Sequence, residues 1–108
     1  MITIKKTESF GEQLRFLREN ASLTLKLVAE QISIDTSLLA KIERNERQPT
    51  KQIIKRVAEY FKVDEKELQS NFLSDQIAYK ILDENADLSI LKVAEEKVKY
   101  LKTVHNGK

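Results

Sequence analysis

Six cationic side chains fall within sixteen residues in the middle of the chain, where only Glu43 and Glu46 oppose them. Lysine and arginine at this density can bind phosphate groups, provided that the fold brings them to one surface. Without such a fold, a basic strip is usually no more than solvated surface. The six are Lys41, Arg44, Arg47, Lys51, Lys55 and Arg56.

Few other side chains could carry out chemistry. The chain has no cysteine and a single histidine, His105, near its C-terminus. A histidine-based catalytic triad, a thiolate zinc site and a disulfide are therefore not expected. The paired acids Asp83-Glu84 and Glu95-Glu96 would point about 100° apart on a helix, so they do not converge on one group. We expect no enzyme activity, no cofactor and no metal.

The composition predicts one core and an almost entirely helical fold. Of the 108 residues, 41% are hydrophobic and 33% charged, with only two glycines and one proline. An antiparallel sheet with several tight turns normally needs more of both. No apolar run approaches the roughly 20 residues that span a bilayer, and no signal-peptide pattern follows Met1. The absence of cysteine agrees with a reducing compartment, so we expect a cytoplasmic protein with no membrane partner.

Capping residues and apolar periodicity predict four helices in the first part of the chain. After an N-terminal arm at residues 1–8, a capping box at Ser9 starts the first helix. Two short helices follow Thr24 and Asp35, and a fourth helix follows Thr50.

The pattern changes beyond these four helices. We expect a short fifth helix around Leu68 and a break at Ser70-Asn71. Apolar spacing then predicts a helix at 74–84 and a last helix at 88–102. The chain from His105 onwards is expected to fray.

The two short helices at the centre are unusual for a helical bundle. Short helices that are joined by a tight turn cross steeply, as in a helix-turn-helix. Turning the third helix by about 100° per residue places Leu38, Leu39 and Ile42 in one arc. The opposite arc has no acid and no bulky apolar group, which suits the major groove of DNA, although a solvated face would look the same. It consists of Thr36, Ser37, Ala40, Lys41 and Arg44.

The helices on either side of this arc begin in a similar way. Thr24 is followed by Lys26, and Thr50 is followed by Lys51. A helix N-terminus with exposed N–H groups, a hydroxyl and a cation attracts phosphate. Ordinary capping explains each N-terminus alone, but both flank the same acid-free arc.

A run of motifs covers a little over half of the chain without a gap. The motifs are Phe10-Gly11-x-x-Leu14-Arg15-x-Leu17-Arg18, Leu23-Thr24, Ala29-Glu30, Leu39-Ala40-Lys41-Ile42-Glu43-Arg44, Pro49, Ala58 and Val63-Asp64-x-x-Glu67-Leu68. They resemble the XRE family of phage repressor and Cro-like helix-turn-helix DNA-binding domains. The resemblance implies an all-α fold, with a five-helix, lambda-repressor-like domain at residues 9–71 and one or two C-terminal helices at 72–108.

The resemblance also implies roles for individual residues. Arg18 and Glu43 match a buried ion pair that stabilises the family's fold. The residues that match base-edge positions are Thr36, Ser37, Ala40 and Lys41. The residues that we assign to DNA phosphate are Thr24, Lys26, Arg44, Arg47, Thr50, Lys51 and Gln52.

Four positions depart from the family pattern. Ser33 stands where the turn usually has glycine, and a left-handed backbone there would cost on the order of 1–3 kcal/mol. Asn45 replaces another common glycine, but asparagine tolerates that conformation. Leu25 replaces a glutamine that contacts DNA in relatives, and Leu27 replaces a polar residue. We expect the arm at Ile2–Ile4 or the C-terminal extension to cover one of these leucines.

The C-terminal extension is electrically neutral, with six basic and six acidic residues. Its last helix has the 3, 4, 3 apolar spacing of a coiled-coil seam, which is too short to hold two chains together alone. The seam could pack within one chain. We favour a homodimer, because a short helix-turn-helix protein needs two copies to recognise a useful site. The predicted interface consists of Ile77, Ile81, Leu91, Ala94, Val98 and Leu101.

These observations favour a homodimeric transcriptional regulator, a repressor in the simplest case, that binds double-stranded DNA at a near-palindromic operator. The size resembles phage-type repressors and, slightly more, the autoregulatory controller proteins of restriction-modification systems. The alternative is an antitoxin whose C-terminal helices bind a toxin. An adaptor that does not bind DNA is a third hypothesis.

Overall fold

The computed structural model describes residues 8–106, and within this range it contains six helices and no strand. The all-α prediction is therefore confirmed. The rest of the predicted arm, including Ile2–Ile4 as a cover for Leu25 or Leu27, lies outside the described residues. The helices are α1 (Phe10–Asn20), α2 (Leu25–Gln31), α3 (Thr36–Glu43), α4 (Lys51–Phe61), α5 (Glu65–Asp83) and α6 (Ile90–Asn106).

The chain divides into two compact units, one that ends at Asp75 and one that begins at Gln76. The first unit has a closed apolar core, and α3 packs there against both α1 and α2. The large side chains in this core with no more than 2% exposure are Phe10, Leu14, Leu17, Ile32, Leu39, Ile42, Ile54 and Leu68. The core is built from one apolar stripe of each helix, as amphipathic helices require.

Three hydroxyl side chains cap helices in the first unit. Ser9, Thr24 and Thr50 each accept a hydrogen bond from the backbone N–H three residues later, at 3.2, 3.1 and 3.1 Å. The capping box at Ser9 is complete, because the Glu12 carboxylate accepts from the Ser9 N–H at 2.9 Å. Asp35 is the N-cap residue of α3, as its position in the sequence indicates, but its side chain makes no capping hydrogen bond.

A left-handed residue other than glycine follows each of the helices α1 to α5. At each of these ends, the N–H of the next residue donates to the carbonyl five residues back, as Ile34 does to Ala29 at 3.0 Å. This closure satisfies carbonyl groups that the helix leaves unpaired and turns the chain sharply. Ser33, which stands where the resembled family usually has glycine, is left-handed with φ of 60°. The five residues are Ser22, Ser33, Asn45, Lys62 and Asn85.

The predicted break at Ser70-Asn71 is wrong, because α5 runs without interruption through both residues. Asn71 finds partners outside its own helix: its side-chain amide donates to Gln13 Oε1 at 2.7 Å and to the Glu8 carbonyl at 3.2 Å. A polar side chain that is satisfied across the core does not compete with its own backbone, so the helix continues.

The first four residues that we assigned to the extension, 72–75, belong to the first unit, and two of them contact α1. The ring of Phe72 meets that of Phe10 edge to face, with centroids 6.2 Å apart. The Asp75 carboxylate accepts a hydrogen bond from the Phe10 N–H at 2.8 Å, at the N-terminus of α1. Burial outweighs this hydrogen bond and raises the pKa of Asp75 above its ordinary value.

The second unit contains the end of α5 and the whole of α6. The helix predicted at 88–102 begins at Ile90 and ends at Asn106. Its later start follows from Asp87, which accepts from the Ser89 N–H at 2.7 Å and holds the preceding turn. His105 lies within α6, so the expectation that it frays is wrong. Every side chain from Asp87 to His105 is exposed.

Within residues 8–106, none of the helices combines the length and the apolar character that crossing a membrane requires. Over the same range, no three His, Cys, Asp or Glu side chains are grouped so that they could hold a metal ion.

Candidate nucleic-acid interface

Helix α3 has one buried side and one exposed side. Leu39 and Ile42 are buried and Leu38 is half-buried, all against the core of the first unit. Because side chains three and four residues apart share a helix face, these three residues orient the whole helix. What remains of α3 faces away from the core.

The outer face of α3, which we define as Thr36, Ser37, Ala40 and Lys41, is accessible. Thr36, Ser37 and Lys41 are exposed, and Ala40 is half-buried. The four residues form two pairs that are spaced by four, so they lie side by side along the helix. The structure thus brings the predicted base-edge residues together on one surface that contains no acid.

The ion pair between Arg18 and Glu43 joins the end of α3 to α1. Arg18 Nε lies 2.8 Å from Glu43 Oε2, and Arg18 Nη2 lies 3.0 Å from Glu43 Oε1. The side chains are only 13% and 5% exposed. Arg18 Nη1 also donates to the Leu23 carbonyl at 3.0 Å. The hydrogen bond to Glu43 raises the pKa of Arg18 above its ordinary value. Through these contacts, one guanidinium joins α1, α3 and the connection to α2.

Gly11 permits α1 to approach the end of α3 closely. A Cβ atom at this position would lie 2.5 Å from Asn45 Oδ1 and 2.8 Å from the Glu43 carbonyl oxygen, and it would also meet the Ile42 carbonyl oxygen. No side chain fits at these distances without displacing backbone. The sequence shows Gly11 as part of a motif, but the reason for it lies in residues more than thirty positions away.

Arg56 belongs to the basic strip, but its side chain stabilises the turn after α2 and does not extend into solvent as a free cation. It is half-buried on α4, and its Nη1 donates to the Ile32 carbonyl at 3.3 Å, where α2 ends. A cation at a helix C-terminus stabilises the carbonyl groups there. Its position within a row of cations gave no sign of this role.

The residues that we assigned to phosphate are exposed but not equivalent. Lys26, Arg47, Lys51 and Gln52 have exposed side chains. The hydroxyl groups of the two threonines in the set already accept the capping hydrogen bonds described above. Arg44, the C-cap of α3, is exposed but forms an ion pair with Glu46, in which Arg44 Nε lies 2.7 Å from Glu46 Oε2.

The predicted dimer residues lie on an open surface of the second unit. Ile77, Leu91, Val98 and Leu101 are between 45% and 50% exposed. Several predicted residues line a groove of about 260 Å³ between the end of α5 and the start of α6. The residues that line the groove are Gln76, Ile77, Lys80, Ile81, Ile90, Leu91 and Ala94.

Comparison with protein families agrees with this architecture. The family model described as a helix-turn-helix domain matches residues 11–71, more than half of the chain. The matched segment includes α2, α3 and the turn between them. Neither the curated proteins nor the solved structures gave a match.

Removing the charge of Glu43 tests the role of the buried pair. Glu43→Gln is expected to lower the free energy of unfolding by about 3–5 kcal/mol, because it leaves the Arg18 guanidinium largely buried without its carboxylate. Urea unfolding followed by circular dichroism measures the change.

Glu84→Gln is the matched control. It breaks an ion pair of 3.3 Å to Lys80 that is remote from Arg18 and whose side chains are 76% and 62% exposed. The expected loss is below about 1 kcal/mol. Equal losses in the two variants would contradict an anchoring role for the Arg18–Glu43 pair.

Proposed function

The chain belongs to the helix-turn-helix domain family, and from this premise we propose that it is a sequence-specific DNA-binding transcriptional regulator. The observation that carries the proposal is the accessible, acid-free outer face of α3. Hydroxyl groups, a methyl group and a lysine are the groups that bind base edges and thymine methyl groups in the major groove. The protein acts in the cytoplasm as a homodimer.

Each residue of the outer face has a role in this proposal. The Thr36 and Ser37 hydroxyls donate to or accept from base edges near the start of the helix. Ala40 offers its methyl group to thymine, and Lys41 donates to the O6 and N7 acceptors of guanine. The Arg18–Glu43 ion pair holds α3 in place before DNA binds, so binding does not have to spend free energy on ordering this helix.

Phosphate contacts surround this face and fix its register on the duplex without recognising sequence. The N-terminus of α4 supports the proposal best, because Thr50, Lys51 and Gln52 follow one another at the start of an eleven-residue helix. Backbone N–H groups at such an end attract phosphate. The remaining members of the proposed set are Thr24, Lys26, Arg44 and Arg47.

The homodimer forms through the second unit. An apolar helix face that is about half exposed in the single chain marks a protein interface. The 3, 4, 3 spacing of Leu91, Ala94, Val98 and Leu101 suits pairing with a second helix. Two-fold symmetry then places two α3 helices roughly 34–36 Å apart, one turn of DNA, on a near-palindromic operator. An inverted repeat near its own promoter would make the protein an autoregulatory repressor or controller.

Alanine variants separate base recognition from phosphate binding. Lys41→Ala is expected to weaken binding to an operator selected from a random duplex library by about 1–3 kcal/mol and to relax the preference for one base pair. Lys51→Ala is expected to weaken binding to every duplex alike and to lower the salt slope by roughly one. Fluorescence anisotropy on the selected operator and a random duplex, at several salt concentrations, measures both effects. Identical losses on the two duplexes for both variants would contradict the assigned roles.

Sedimentation velocity tests the dimer. The wild-type protein is expected to sediment as a dimer, and Leu101→Asp as a monomer, because a carboxylate in an apolar interface is poorly solvated. Thr103→Asp is the matched control: it adds the same charge two residues later, on another side of α6, and is expected to leave the dimer intact. A wild-type monomer, or a dimer that is indifferent to Leu101→Asp, would contradict the proposed interface.

The antitoxin is the second candidate, and the exposed apolar face of α6 also supports it. Leu27, on α2, is 38% exposed where the resembled family has a polar residue. In this case a toxin, and not a second copy, would cover Val98 and Leu101. A stable dimer that Leu101→Asp dissociates removes the surface that a toxin would need and argues against this candidate.

A further inference from the structure

Arg44 and Glu46 form a bidentate ion pair at the C-terminal end of α3. Arg44 Nε lies 2.7 Å from Glu46 Oε2, and Arg44 Nη2 lies 3.1 Å from Glu46 Oε1. Both side chains are 54% exposed, so the pair lies on the surface. The two guanidinium donors that would bind a phosphate are therefore held by a carboxylate of the same chain.

The backbone keeps Glu46 beside the end of α3. Asn45 is left-handed, with φ of 63°, and the Glu46 N–H donates to the Lys41 carbonyl at 2.8 Å. The hydrogen bonds from Arg44, and more weakly the charge of Lys41, hold the pKa of Glu46 below its ordinary value. Glu46 is thus ionised at neutral pH and opposes two of the cations that we assign to DNA.

Fold stability does not explain a carboxylate at this place. A negative charge at a helix C-terminus is unfavourable, because the helix dipole is negative there. An exposed ion pair contributes little to stability. The buried pair formed by Glu43 already joins this end of α3 to α1.

We infer that Glu46 is an intramolecular competitor for the DNA phosphate that Arg44 binds. This inference rests on the proposed function. In the free protein the carboxylate accepts the two guanidinium hydrogen bonds; on a duplex, a phosphate replaces it as the bidentate acceptor. Because both acceptors are anions of matching geometry, the exchange gains little. Glu46 therefore weakens backbone binding to all sequences and leaves more of the affinity to base contacts on the outer face of α3.

The salt dependence of binding reports this competition directly. Each phosphate that a protein neutralises contributes about 0.9 to the slope of log K against log salt. An arginine whose charge is already balanced by a carboxylate adds little to that slope. Removing the carboxylate restores the full contribution, whereas a change in fold stability alone would leave the slope unchanged.

Glu46→Gln tests the inference on a random-sequence duplex about three helical turns long, with fluorescence anisotropy between about 50 and 200 mM salt. The expected result is a slope that is steeper by about 0.9 for each bound subunit and an affinity that is about three- to tenfold higher near 100 mM salt. The urea midpoint of unfolding is expected to change little, because the Arg44–Glu46 pair is exposed.

Two controls make the result specific to Arg44. Glu19→Gln makes the same change of charge and breaks the exposed pair with Arg15 on α1, so it is expected to shift the affinity by less than about twofold. In an Arg44→Ala background, the gain from Glu46→Gln is expected to shrink to that of Glu19→Gln. An unchanged slope in Glu46→Gln, or a full gain without Arg44, overturns the competition while leaving DNA binding itself intact. Failure of the wild-type protein to bind any duplex at the lowest salt overturns the proposed function instead.

Discussion

The buried pair of Arg18 and Glu43 is the interaction on which the candidate surface depends. It fixes the end of α3 to α1 through hydrogen bonds of 2.8 and 3.0 Å, and the same guanidinium holds the Leu23 carbonyl. The apolar residues of α3 face the core, and Glu43, the one acid of this helix, is buried. The outer side is therefore left with small polar groups and a cation. The ion pair thus both fixes the end of the helix and removes a carboxylate from the surface that would meet DNA.

Close backbone approach and left-handed helix ends make this arrangement compact. Gly11 allows α1 to lie against the carbonyl groups that end α3. Ser33 turns the chain between α2 and α3 with φ of 60°, although a serine in this conformation is strained. Arg56 donates to the carbonyl at the end of α2 and reinforces the same turn. The turn between the short helices is therefore closed in a chain that has only two glycines.

The elements whose causes are local could be predicted from the sequence, whereas those with distant causes could not. Threonine caps and apolar spacing lie within each helix, so the starts of α2 and α4 followed from Thr24 and Thr50. The continuity of α5 depends on the hydrogen bond from Asn71 to Gln13, 58 residues away in the chain, and no local pattern reveals it. Likewise, Arg44 looked like one more cation of a basic strip until its ion pair with Glu46 was visible.

In the proposed function, the outer face of α3 contacts duplex DNA. The most direct test is a titration of ¹⁵N-labelled protein with a duplex, followed through backbone amide chemical shifts. The largest shifts are expected at Thr36, Ser37, Ala40 and Lys41, with further shifts at the start of α4. Shifts that are confined to α6, or a spectrum that duplex DNA leaves unchanged at low salt, would contradict it.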